Sequence, residues 1–202
     1  MNIYLLRHGE TDWNQEGRLQ GHTDIPLNQN GRTQINHTAE VLAHLLVDMD
    51  LIISSPLSRA YESAKIIAER MSYEKDNIII EPLLIERCFG VGEGLTTAER
   101  KEKYPSGDYP EMESLEDLIK RAQSVYGKIV KSYENSDNIL VVAHGAILYA
   151  MLTAITDGQI VYGGKMIKLN QASLHLIKYI DGAIQLAKYD KDLSMFTEIE
   201  FH

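Results

Sequence analysis

"NIYLLRHG", Asn2 to Gly9, runs from an apolar stretch straight into arginine, histidine and glycine. A second stretch of the same form, "NILVVAHG", occupies Asn138 to Gly145. Neither alternates apolar with polar residues, so both read as strands buried on both faces, the pattern of a parallel sheet. "DLIISS" (Asp50 to Ser55) and "NIIIE" (Asn77 to Glu81) repeat it. Helical stretches lie between these runs. Gln29 to Leu46 has apolar residues at helical spacing, with Asn28 as its cap. Leu57 to Met71 follows Ser55-Pro56, which reads as a cap and a first-turn proline. Ser114 to Tyr133 opens with acid in its first turn, as the helix dipole favours, and Ala146 to Ile155 is apolar enough to be buried. Strands alternating with helices predict an α/β fold whose parallel sheet is covered on both sides. Near the end, Asp181-Gly182 between alternating runs predicts a β-hairpin. Gly90 to Met112, rich in glycine and proline, predicts loops over a site.

Composition narrows the function. With 202 residues, 44% of them hydrophobic, the chain is expected to form one domain spanning 1–202. Its net charge of −9 argues against nucleic acid or an anionic membrane as partner. The single Cys88 excludes an internal disulfide and a cysteine-based zinc cluster. "MNIYLL" is too short for a signal peptide, and no apolar run approaches the roughly 18 residues of a membrane span. The expectation is a cytoplasmic protein, with a homodimer left open. No His-Glu-x-x-His or Walker lysine pattern occurs. The Asp48/Asp50 and Asp190/Asp192 pairs lie away from the ends of the predicted strands. A metal or nucleoside-triphosphate site therefore lacks support.

In parallel α/β sheets, ligands collect at the carboxyl ends of the strands. The first predicted strand ends in Arg7-His8-Gly9, the second in Ser54-Ser55-Pro56 with Arg59 just beyond, the fourth in His144-Gly145. If these strands are neighbours, two guanidiniums and two imidazoles converge on one pocket. In so acidic a chain such a pocket implies an anion, and arginine forks match phosphate. Backbone N–H groups at the helix that Gly145 opens would add to the cradle. A neutral imidazole can attack phosphorus, and Arg7 and Arg59 would keep His8 neutral by repelling its protonated form. His144, paired to a phosphoryl oxygen, could stay protonated and stabilise the transferring group. The leaving alkoxide needs a proton, which calls for a carboxylic acid beside the phosphate. Glu86 is the best placed; Glu10, Glu81 and Glu93 are the alternatives.

Five blocks in order carry a family resemblance. "LLRHGETDWNQEGRLQGHTDIPLNQNGRTQ" resembles the opening of the histidine phosphatase superfamily, also called the phosphoglycerate-mutase-like family. "SSPLSRAYESAKIIAE", "LLIERCFGVGEGLT", "GDYPEMESLEDLIKRA" and "VVAHG" resemble its later blocks, and together they reach from Met1 to about Asn170. The resemblance implies a three-layer α/β/α sandwich with a mostly parallel central sheet. It implies His8 as the phosphorylated nucleophile and Glu86 as the proton donor. Arg7, Arg59 and His144 match the groups that hold the phosphoryl oxygens, and Asn14, Gln20, Gly21 and Gly145 fall where the family lines its phosphate pocket. Arg87 is shared with the cofactor-dependent mutases and is carried over as a substrate-binding candidate.

Within the family the chain looks like the phosphatase branch, for which no cofactor is implied. Mutases usually carry Tyr and Lys where this chain has Phe89 and Thr97, Thr or Ser at Gln20, and Asn at Ala146. Their arginine-bearing insertion is replaced here by the short, acidic "YPSGDYPEMES". Of the cations a mutase would need to grip a sugar acid, Arg87, Arg100, Lys101 and Lys103 are present. The expected activity is hydrolysis of a small phosphorylated metabolite. The alternatives are a cofactor-dependent phosphoglycerate mutase and a non-catalytic protein that binds phosphorylated ligands.

Overall fold

The computed structural model of the protein describes residues 1–164, 166–180 and 183–201. Its elements run β1 (Asn2–Arg7), α1 (Asp12–Gln15), α2 (Gln29–His44), β2 (Leu51–Ser54), α3 (Ser58–Arg70), β3 (Ile79–Ile80), α4 (Thr97–Lys103), α5 (Leu115–Ser132), β4 (Asn138–Ala143), α6 (Gly145–Ile155), β5 (Leu174–Ile180), β6 (Ala183–Asp190) and β7 (Met195–Ile199). They form a seven-stranded sheet of order β3-β2-β4-β1-β5-β6-β7. The β3-β2-β4-β1 half is parallel. The β5-β6-β7 half is attached to β1 and paired antiparallel throughout. The sheet is therefore mixed, and the doubly covered region lies in its parallel half.

Double coverage explains the unbroken apolar runs. In β1, Ile3 and Leu5 pack into the core cluster that contains α5 and α6, while Tyr4 and Leu6 pack into the one with α2 and α3. In β4, Ile139, Val141 and Ala143 face the first cluster, Leu140 and Val142 the second. Both faces of each strand are dry, so no polar alternation survives. Each fully buried aliphatic side chain contributes roughly 1.5–3 kcal/mol.

Helix ends follow local chemistry, with one informative exception. Asn28 caps α2 by accepting from the Gly31 N–H, and Ser114 caps α5 by accepting from the Asp117 N–H. α3 has Leu57 at its N-cap and no side-chain cap bond. Ser55, the expected cap, instead has its hydroxyl 2.7 Å from His144 Nε2. The expected strand at Asn77 to Glu81 shrinks to the two residues of β3. The expected hairpin is present as the antiparallel β5–β6 pair, while its turn, Asp181-Gly182, lies outside the described residues. β7 and the short helices α1 and α4 were not anticipated. Among the described residues no helix is long and apolar enough to cross a membrane.

Candidate active site

β4 lies between β2 and β1, so the three polar strand ends are adjacent and on the same edge of the sheet. A cavity of about 610 Å³ opens there, with Arg7, His8, Gln20, Arg59 and Glu86 in its lining. The start of α2 is drawn against the first strand end by close backbone contact. A Cβ on Gly31 would lie 2.1 Å from the Glu10 carbonyl oxygen, so only glycine fits.

His8 is 2% exposed, and its ring centroid lies 5.1 Å from that of His144. His8 Nδ1 is 2.6 Å from the Gly9 carbonyl oxygen, which can only accept. Nδ1 therefore carries the proton and Nε2 keeps its lone pair. Burial first, then Arg7 and Arg59, push the His8 pKa well below the ordinary imidazole value. His144 is fully buried; burial, then Arg59, His8 and Arg7, lower its pKa in the same way. Protein groups alone thus make His144 neutral. A protonated His144 needs the phosphoryl oxygen that the sequence reading paired with it. Its Nδ1 is buried and has no protein partner among the described residues.

The two guanidiniums are half satisfied. Arg59, 0% exposed, donates from Nη1 to the Thr23 carbonyl at 2.9 Å and from Nη2 to the Gly21 carbonyl at 2.8 Å. Arg7 donates from Nη1 to the Leu169 carbonyl at 2.6 Å. Both Nε atoms are buried and unpartnered among the described residues, as is Gln20 Oε1. A buried polar atom without a partner costs about 1–3 kcal/mol, so the two Nε–H groups beside this cavity are suited to donating to a polar ligand. The loop that supplies Arg59's acceptors is fastened by Glu93. Its carboxylate accepts from the N–H groups of His22, Thr23 and Phe89 and from the Thr23 hydroxyl. Gly21 sits in the left-handed region at φ 57°, and a Cβ there would meet the Glu93 carboxylate at 2.0 Å.

The four candidate acids separate cleanly. Glu93 is consumed by that loop. Glu10 accepts from Asn28 and Asn30, and Glu81 pairs with Lys128 while bonding the Leu83 N–H. Glu86 is the one carboxylate in the described lining. It sits at the start of α6, where Oε1 accepts from the N–H groups of Arg87, Ala146 and Ile147 at 2.9, 3.0 and 3.1 Å. Oε2 has one longer contact, 3.2 Å from Ala146 N, and is the oxygen free to carry a proton. The N–H groups of this helix start, expected to cradle phosphate, therefore hold Glu86 in place instead.

Asn14, Gln20, Gly21 and Gly145 all line the cavity. Arg87 does not. Its Nε donates to the Glu113 carbonyl at 2.9 Å, and its guanidinium lies 5.6 Å from the Phe89 ring centroid and 5.8 Å from that of Tyr162. It braces two aromatic walls from behind. Sequence reasoning gave no site role to Tyr162, Lys168 or Asn170, which come from the irregular segment before β5 and line the mouth. That segment has neither periodicity nor a motif. Ser55 was read both as a cap and as part of a polar strand end, and its hydroxyl meets the His144 ring.

Comparison with known proteins identifies the family. The model of the histidine phosphatase superfamily (branch 1) matches residues 3–192. The uncharacterized phosphatase PhoE of Bacillus subtilis (strain 168) is 41% identical over 156 residues, 77% of this chain and 78% of that protein. A 2,3-bisphosphoglycerate-dependent phosphoglycerate mutase 2 from Gloeobacter violaceus is 33% identical over 162 residues, 74% of this chain and 73% of its own. Among solved structures, a mycobacterial glucosyl-3-phosphoglycerate phosphatase complexed with VO3 superposes with a TM-score of 0.76 at 29% identity, covering 88% of this chain and 92% of that one. Five ordered sequence blocks, a site assembled from three strand ends and a family match over nearly the whole length meet in one conclusion: the chain belongs to the histidine phosphatase superfamily (branch 1).

Proposed function

We propose that the protein is a phosphomonoesterase that hydrolyses a small phosphorylated metabolite through a phosphohistidine on His8. The observation that carries this reading is the pair of unpartnered buried guanidinium atoms, Arg7 Nε and Arg59 Nε, in the cavity that His8 also lines. The phosphoryl oxygens accept from these donors. His8 Nε2 attacks phosphorus and the P–O bond to the alcohol breaks. Glu86 gives a proton from Oε2 to the departing oxygen. A water then attacks the phosphohistidine while Glu86 takes its proton. Phosphate leaves, and His8 returns to the neutral form with Nδ1–H held on the Gly9 carbonyl. A net charge of −9 and a single cysteine favour a cytoplasmic setting without nucleic acid or membrane as partner.

A phosphate-release screen over a metabolite panel, with His8→Ala as blank, tests the reading. Release by the wild type and none by the variant is the expected outcome. Isomerisation of 3-phosphoglycerate that requires a bisphosphorylated primer would favour a mutase. Thermal stabilisation by phosphorylated ligands without any turnover would favour a binding protein.

A further inference from the structure

One sequence block has no part in the cavity. Among the described residues, none of "GDYPEMESLEDLIKRA", Gly107 to Ala122, lines it. The block nevertheless reaches the stretch of chain that carries Glu86. Arg121 of α5 and Glu113, just ahead of that helix, form a bidentate pair: Nε donates to Oε1 at 2.9 Å and Nη2 to Oε2 at 2.8 Å. The two side chains are only 15% and 17% exposed. The rest of the fork goes to main chain. Nη1 donates to the Leu83 and Ile85 carbonyls, both at 2.7 Å, and Nη2 reaches the Glu86 carbonyl at 3.3 Å.

This stretch needs such a holder. Leu83 to Arg87 belongs to no strand, so no ladder fixes it. Three carbonyls and a carboxylate converge on one guanidinium. Arginine can serve them all because its five N–H groups form a rigid planar fork, whereas lysine has three donors on one nitrogen. Glu113 supplies the counter-charge that a largely buried guanidinium requires. Its backbone also grips the chain beyond Glu86: its N–H donates to the Cys88 carbonyl, and its carbonyl accepts from Arg87 Nε, both at 2.9 Å. His22 Nε2, 2.9 Å from the Glu86 carbonyl, adds one contact from the neighbouring loop. Glu86 is thus bracketed before and after in sequence by one ion pair, while the N–H groups of α6 hold its carboxylate.

We propose that Arg121 and Glu113 are positioning residues for proton transfer, fixing the Glu86 carboxyl against the leaving oxygen without touching substrate. The proposal rests on the reading of Glu86 as the general acid. A proton donor must sit within hydrogen-bond reach of the departing oxygen, and a misplacement of about 1 Å can cost roughly 10²-fold.

A double-mutant cycle read on two ester types tests it. Arg121→Lys keeps the charge but cannot fill the fork; Glu113→Gln keeps the shape and removes the counter-charge. Each is made alone and together with Glu86→Gln. The kcat/KM is measured for p-nitrophenyl phosphate and for an alkyl phosphate taken from the metabolite screen. Alone, Arg121→Lys should lower the alkyl value by roughly 10- to 100-fold, mostly through kcat, and the aryl value by less than about 3-fold. Glu113→Gln should show the same selectivity at smaller size. Combined with Glu86→Gln, either change should add little further alkyl loss, because no acid remains to be misplaced. Equal losses on the two esters, or an alkyl loss undiminished in the Glu86→Gln background, overturn the proposal and leave the pair a structural brace. Thermal unfolding checks that each variant is folded, and if Arg121→Lys is not, Glu113→Gln decides by the same criteria. If Glu86→Gln itself loses both esters equally, the acid assignment fails and the positioning role falls with it. No hydrolysis of any ester by the wild type overturns the phosphatase reading beneath both.

Discussion

The ring centroids of His8 and His144 lie 5.1 Å apart, with their planes at 59°. Burial first, then the two guanidiniums, disfavour the charged form of both rings, with His8 adding to the effect on His144, and His8 Nε2 keeps its lone pair. His8→Ala is expected to lower turnover of p-nitrophenyl phosphate by roughly 10⁴-fold or more, as loss of a nucleophile does. Brief mixing of the wild type with phosphorus-labelled ester should leave label on the protein that survives alkali and is lost in acid, as a phosphoramidate is. Acid-stable label, or label on His8→Ala, would assign the nucleophile elsewhere.

Glu86 bonds three backbone N–H groups through Oε1 and leaves Oε2 nearly free, an arrangement suited to delivering a proton from a fixed point. Glu86→Gln preserves an acceptor for those N–H groups and removes the acid. The kcat/KM for alkyl phosphates should fall by roughly 10²–10⁴-fold, the usual worth of a general acid. The loss on p-nitrophenyl phosphate should be much smaller, because p-nitrophenolate departs without help. Equal losses on the two ester types would leave Glu86 with a structural role only.

Glu93, also an acid near the site, should behave in the opposite way. Its carboxylate ties down His22, Thr23 and Phe89, and the Thr23 and Gly21 carbonyls hold Arg59. Glu93→Ala is expected to destabilise the fold by about 2–4 kcal/mol, measured by urea unfolding, since several charge-assisted bonds are lost at once. KM should rise by a similar factor for alkyl and aryl esters. A leaving-group dependence like that expected of Glu86→Gln would mean that Glu93 shares the acid role.

The strands of the parallel half were legible because both of their faces are dry, and Asn28 and Ser114 were legible as caps because capping is local. The placement of β4 between β1 and β2 was not, because strand order is decided by packing between segments distant in sequence. Position and resemblance already favoured Glu86 over Glu93, but not how it is held, by the N–H groups of Ala146 and Ile147. Arg87 illustrates the converse: a resemblance places a residue type in the site region but not the direction of its side chain. α4 could have been read, since Thr96 and Glu99 form a capping box, but it is hidden in a segment dominated by glycine and proline. Lys168 and Tyr162 sit in a segment without periodicity, and only the folded chain brings them to the cavity.

His175 extends the account from activity to stability. It lies on β5 opposite Leu5 of β1 and Lys188 of β6, is 2% exposed, and has both ring nitrogens unpartnered among the described residues. Burial first, then the charge of Lys188, lowers its pKa from 6.5 to about 4. The native state thus holds the ring neutral while the unfolded chain takes up a proton below about pH 6.5. The associated stability is fully present above the unfolded value and is lost as pH falls toward the folded one. Between pH 7.5 and 4.5 that loss is about 2–3 kcal/mol. His8 and His144, also held neutral by burial, add to it with the same sign. His175→Leu should remove its share, so that urea midpoints at pH 7.5 and 4.5 draw closer together than in the wild type. An unchanged gap would place the acid sensitivity in other groups, the site histidines and carboxylates such as Glu93, and His8→Ala would then show how much of it belongs to His8.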